Sequence, residues 1–181
     1  MKKLLAVLFI LLLVSFSSLA FAQEISPTPQ PSPSPTPVKY NLPYPGMLPD
    51  SPFYKLKVLR DKIMLVLIQD PMKKVEYHLL LADKRIQMAK ILVNKGKTEL
   101  AKETALKGEN EYTLLVFLFK DVQKKPNKAL FDKLELAALK HQEVLRGITT
   151  KLKGKDKKNF ETVIEFSKRN ADELSTIYND N

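Results

Sequence analysis

From residue 50 onward, apolar side chains recur at alternating steps of three and four, a spacing that gathers them on one face of an α-helix but scatters them over both faces of a strand. Met72, Val75, Leu79, Ala82, Ile86, Ala89 and Val93 form one such seam. Ala101, Ala105, Gly108, Tyr112, Leu115, Phe119 and Val122 form a second, widened near its end by Leu114, Phe117 and Leu118. Leu130, Leu134, Ala137, His141, Val144 and Ile148 make a third, and Phe160, Ile164, Ser167, Ala171, Leu174 and Tyr178 a fourth. A shorter set, Leu56, Leu59, Ile63 and Val66, precedes them. No stretch beyond residue 50 alternates with period two over a strand's length. The expected fold is therefore all-α, an antiparallel up-and-down bundle of four to five helices with short loops.

Local signals set the helix limits. Asp50-Ser51-Pro52 offers a capping oxygen followed by proline at the first helical position, so a helix is expected from there to Gln69. Asp70-Pro71 repeats the signal for a helix running to Asn94 and stopping at Gly96, a residue suited to the left-handed C-terminal position. Thr98 caps the third helix, Pro126-Asn127 breaks the chain before the fourth, and Gly154 with Asp156 separates the fourth from the fifth.

The N-terminal region has a different character. Lys2 and Lys3 precede an unbroken apolar stretch at 4–14 and a small-residue tract ending Ala20-Phe21-Ala22, which is the order of a secretory signal. A helix needs about 20 apolar residues to span a bilayer core, so cleavage after Ala22 is expected, with an uncleaved anchor as the alternative. Residues 26–37 alternate proline with Ser, Thr or Gln. Proline fixes φ and lacks the N–H a ladder needs, so this tract should be polyproline II, either a stiff stalk or a protease-resistant tail. The expected organisation is a signal peptide at 1–22, a Pro/Ser/Thr-rich linker at 23–39 and one helical domain at 40–181, located outside the cytoplasm. Residues 40–49 carry too many prolines for regular structure and too many large apolar groups for a free linker, so they should strap across the domain.

Composition narrows the chemistry. The absence of cysteine excludes disulfides, thiol catalysis, thiolate metal sites and a lipidated cysteine anchor. The chain carries 30 Lys and Arg against 20 Asp and Glu, net +10. Outside a membrane such a surface favours anionic lipid headgroups, anionic envelope polymers or acidic envelope proteins. Export, and the lack of basic residues interleaved with aromatics, make nucleic acid an unlikely partner.

Leu-Pro-Tyr-Pro-Gly-Met-Leu-Pro-Asp-Ser-Pro from Leu42, Tyr54-Lys55-Leu56-Lys57, Asp70-Pro71-Met72-Lys73-Lys74 and Leu81-Ala82-Asp83-Lys84-Arg85 resemble a family of exported prokaryotic helical proteins classified as a domain of unknown function. The resemblance spans roughly residues 42–112. It implies export, a small helical domain and Ser/Pro/Thr linkers, and it carries no activity, cofactor or catalytic residue.

Motifs for hydrolysis and nucleotide chemistry are missing: there is no glycine-rich phosphate loop, Gly-x-Ser-x-Gly elbow, His-Glu-x-x-His or Glu-x-x-His pair. No catalytic, cofactor-binding or metal site is expected, and the protein is read as no enzyme. His141 falls where a seam wants an apolar group, so it should be a core or boundary histidine bonded to a neighbour; a metal, haem or pH-sensing role is the alternative. His78, one position off its seam, should be solvated or packing. Glu161 and Glu165 share a face, with Glu165 four residues before Arg169, as on a solvated helix. Met64, Met72 and Met88 should be core. The apolar run 63–68 suits central burial better than an amphipathic membrane contact.

In an up-and-down bundle, the second-to-third and fourth-to-fifth connections meet at the end where the first helix starts. That end collects Lys95, Lys97, Lys151, Lys153, Lys155, Lys157 and Lys158, with Lys55, Lys57 and the spacer nearby. The opposite end holds Lys73, Lys74, Lys124, Lys125 and Lys128. The leading functional expectation is an exported, non-catalytic binding or structural domain of the cell envelope, contacting an anionic polymer, lipid or envelope protein through this basic pole, with a purely structural envelope spacer as a further reading. The alternative is a small-ligand or metal-responsive bundle with a cavity near His141, Gly108 and Tyr112.

Overall fold

The computed structural model describes residues 37–121 and 127–180. The expected signal peptide, most of the linker, the break at Pro126, and Lys124 and Lys125 lie outside the described residues. Residues 37–181 form a compact unit of their own. Five helices and no strand occur among the described residues: α1 Tyr54–Leu67, α2 Pro71–Asn94, α3 Thr98–Asp121, α4 Lys128–Thr149 and α5 Gly154–Asp180.

The four long helices begin and end close to their sequence signals. Asp70 caps α2 by accepting from the N–H groups of Met72 (2.8 Å) and Lys73 (3.3 Å), with Pro71 at the first helical position. Gly96, at φ +74°, lets the chain reverse while the N–H of Lys97 bonds back to the carbonyl of Leu92 at 2.9 Å. Asn127 caps α4 through the N–H of Leu130 at 2.8 Å. Helix α1 departs from expectation. It starts at Tyr54 without a side-chain cap, two residues after Pro52, because the Asp50 carboxylate is bound by Lys95 and Lys97 instead.

Helix α2 packs against α3 and α4, and α5 packs against α4 and α3, so α2/α5 and α3/α4 occupy the diagonals of a four-helix bundle. Each hairpin is antiparallel. Across hairpins, the bonds Asn94–Lys151 and Asp83–His141 show α2 and α4 running parallel, and Thr113–Asn170 with the Phe119–Tyr178 ring contact shows the same for α3 and α5. All four predicted seams turn inward over their described residues, Val122 of the α3 seam lying outside them. Val75, Leu79, Tyr112, Leu115, Phe119, Leu134 and Leu174 build one apolar cluster; Ile86, Leu92, Ala101, Ala105, Leu145, Ile148 and Phe160 build another nearer the basic pole. A fully buried Leu, Ile or Phe contributes about 1.5–3 kcal/mol. Leu114 and Phe117, expected to widen the α3 seam, face outward.

Helix α1 overturns the expectation for its own seam. Leu56, Leu59, Ile63 and Val66 are 50–80 % exposed, and Met64 and Leu67 of the run 63–68 are exposed as well. The buried residue of α1 is Asp61. The bundle core is already filled by four longer helices, which leaves α1 outside them, antiparallel to α2 through Asp61–Tyr77 (3.4 Å) and Lys57–Met88 (4.0 Å).

The strap ahead of α1 is realised. The Val38 N–H donates to Glu143 of α4 (2.7 Å), the Tyr40 hydroxyl to Asp83 of α2 (2.6 Å), and the Lys57 ammonium of α1 to the Pro45 carbonyl (3.2 Å). Tyr40 and Leu42 pack against the two apolar clusters. The described chain thus enters the domain at Val38 on the flank of α4 and not at the pole itself, since Glu143 lies six residues before Thr149 and a helix rises about 1.5 Å per residue.

Candidate functional site

A layer of polar side chains separates the two apolar clusters. His141 of α4 is fully buried, with Nε2 at 2.9 Å from Asp83 of α2 and Nδ1 at 3.1 Å from Glu109 of α3. Both acids are also buried. From α5, the Asn170 amide donates to the Glu109 carbonyl (3.0 Å) and carboxylate (3.3 Å), while its oxygen accepts from Thr113 (2.9 Å). The strap closes the layer through Tyr40 and Asp83. Tyr112 presents its ring edge-on to His141 at 5.8 Å and donates to the Leu134 carbonyl at 2.8 Å. All four bundle helices and the strap therefore meet at one level.

Electrostatics make His141 a cation. Burial disfavours the charged ring, but hydrogen bonds to Asp83 and Glu109 and their charges outweigh it, holding the imidazole up at about 9. Burial next to Asp83 also pushes the Tyr40 phenol far above its ordinary range. With both ring nitrogens donating, an imidazolium offers no lone pair to a metal. A ligand-binding role at His141 would need one of these bonds to open. Nor is the neighbourhood roomy: a Cβ at Gly108 would meet Arg85 Cβ at 3.2 Å and the Ala82 carbonyl at 3.3 Å. Among the described residues no group of three or more His, Asp or Glu side chains has an arrangement that could hold a metal ion.

A second ionic set lies on the α2/α3 face. His78 is buried, bonded through Nδ1 to Glu111 at 2.6 Å, and Glu111 also pairs with Arg85. Burial opposes ionisation of Glu111, yet His78 and Arg85 together hold its carboxyl below the ordinary range. His78 therefore packs, and a solvated position is excluded. On α5 the solvated face is as expected, although Glu165 pairs with Lys168 (2.6 Å), whereas Arg169 lies over Phe166. Met72 and Met88 pack inward; Met64 does not.

The basic pole assembles from separate turns. Lys95 and Lys97 share the Asp50 carboxylate at 2.8 and 2.9 Å, which holds that acid down at about 2. Lys151 donates to Asn94 at 2.8 Å, joining the α4–α5 turn to the end of α2. Lys153, Lys155 and Lys158 are exposed, and Lys157 stands 3.9 Å from Glu161. Lys57 does not join them. It is half-buried against the Pro45 carbonyl, where desolvation, with Lys84, Arg85 and Arg60 nearby, lowers its ammonium to about 8.

The sequence reading missed Asp83 and Glu109 as the partners of His141. A signal was present. Asp83 fits the three-and-four spacing between Leu79 and Ile86, and Glu109 that between Ala105 and Tyr112, so each acid sits at a position the seam would accept.

Fold and site together define an all-α domain, a four-helix bundle with an ionised layer inside and one helix laid along its outside. The chain belongs to the family described as Domain of unknown function (DUF5667), whose model matches residues 46–179 and so takes in the five described helices but for the last residue of α5. No curated protein and no solved structure matches it.

Proposed function

We propose that the protein is an exported, non-catalytic binding domain of a prokaryotic cell envelope that contacts an anionic polymer, lipid or envelope protein through its basic pole. The observation that carries this reading is the Lys151–Asn94 bond at 2.8 Å. It brings the cations of the α4–α5 turn beside Lys95 and Lys97, which two distant segments of sequence would otherwise keep apart. The secretory pattern at 1–22 and the proline-rich tract support export and a stalk. The buried ionic layer supports a scaffold over a reaction site, because its charged groups bond one another and are closed to solvent.

The test compares two poles of similar charge. Changing Lys151, Lys153, Lys155, Lys157 and Lys158 to Gln should weaken binding to anionic wall polymer or anionic vesicles and flatten its salt dependence, with the melting curve nearly unchanged. Each basic residue near an anionic surface contributes roughly 1 kcal/mol, so five are readily resolved. Changing Lys73, Lys74, Lys124, Lys125 and Lys128 is the control. Equal losses in both variants would reduce the effect to general charge attraction.

A further inference from the structure

Helix α1 carries its largest aliphatic side chains on the outside of the molecule. Leu56, Leu59, Ile63, Val66 and Leu67 are 65, 55, 50, 80 and 66 % exposed. At about 100° per residue they fill an arc of roughly 100°. Lys55 and Lys62 border that arc on one side and Arg60 on the other. The one acid of the helix, Asp61, points inward, held by Arg60 at 2.7 Å and Tyr77 at 3.4 Å. Next to the N-terminal turn of α1 the apolar surface continues into a groove of about 580 Å³ lined by Tyr44, Met47, Phe53 and Leu56, with Lys57, Arg60 and Lys84 at its polar side.

We infer that the outer face of α1 docks in the headgroup region of an anionic lipid bilayer, lying in its plane. An apolar arc with cations on both borders and aromatic groups at one end has the form of an interfacial helix. Its 14 residues span about 21 Å, too short to cross a bilayer core of about 30 Å. No described helix is long and apolar enough to do so. A second copy of the chain is a poorer occupant, because it would set the same cationic borders against each other with no outward acid on α1 to oppose them. The inference goes beyond the basic-pole reading and does not depend on it.

The chain has no cysteine, so Ile63→Cys gives a single attachment point for an environment-sensitive fluorophore in the full chain. Glu173→Cys, exposed on α5 diagonally across from α2, is the control. With vesicles of phosphatidylglycerol and phosphatidylcholine, the label at 63 should shift to the blue and be quenched by lipid-borne quenchers, while the label at 173 should not respond. Pure phosphatidylcholine should bind far less. Replacing Lys55, Arg60 and Lys62 with Gln should weaken binding about a hundredfold. The five-lysine pole variant should still insert residue 63, which separates failure of the pole reading from failure of this one. Three results would overturn the inference: no vesicle binding; vesicle binding with the label at 63 still in water, as when another part of the chain attaches; or a label already shielded without lipid in a concentration-dependent dimer.

Discussion

Raising the pH above neutrality should unpick the buried layer before any surface interaction matters. His141 is held up at about 9, while an exposed imidazole in the unfolded chain titrates near 6.5. The folded state therefore keeps a proton that the unfolded state releases. Stability from this source is fully present below pH 6.5 and is lost as pH rises through 9, in total roughly 3 kcal/mol. That is a large share of the 5–15 kcal/mol typical of a domain. Lys57 works in the opposite direction from about pH 8 upward, because its folded ammonium is lowered to about 8. The clean window is pH 6.5 to 8, where linkage of His141 alone gives a loss of about 1.5 kcal/mol. Urea unfolding at half-unit steps should show the midpoint falling across that window with constant slope. The imidazole resonances of His141, told apart from those of His78 by a His78→Gln variant, should remain those of a cation at pH 8. A His141 midpoint at or below 6.5 would refute the reasoning, since it would mean that desolvation defeats two carboxylates at 2.9 and 3.1 Å.

Other expectations concern packing. Leu79→Asp puts a charge at a site 1 % exposed and should cost several kcal/mol, whereas Leu59→Asp, at a site 55 % exposed, should cost no more than about 1 kcal/mol; equal losses by thermal melting would place α1 inside the core. Gly108→Ala gains about 1 kcal/mol in helix propensity but sets a methyl 3.2–3.3 Å from Arg85 Cβ and the Ala82 carbonyl, where overpacking costs about 1–3 kcal/mol. A melting temperature below wild type is expected, and a higher one would show that α2 and α3 can move apart.

The sequence by itself determined the helices and the inward faces of the four long ones. Seams such as Val75-Leu79-Ala82-Ile86 and Leu134-Ala137-His141-Val144 are local periodicities, and caps at Asp70, Gly96 and Asn127 act within a few residues, so both can be read without knowing any partner. That the α2–α3 and α4–α5 turns share one end was also legible, because alternating directions and short turns leave few ways to arrange four helix ends. Tertiary structure alone decided which seams found a place in the core. Helix α1 has an apolar spacing like the others, but four longer helices closed the interior without it, and a seam states what a helix could bury and not whether room remains. Only the fold decided, too, that His141 would meet Asp83 and Glu109 from residues 58 and 32 positions away. A buried cation needs its counter-charges at the same height of the bundle. That height depends on how three helices slide against one another, a quantity with no local signature in the chain.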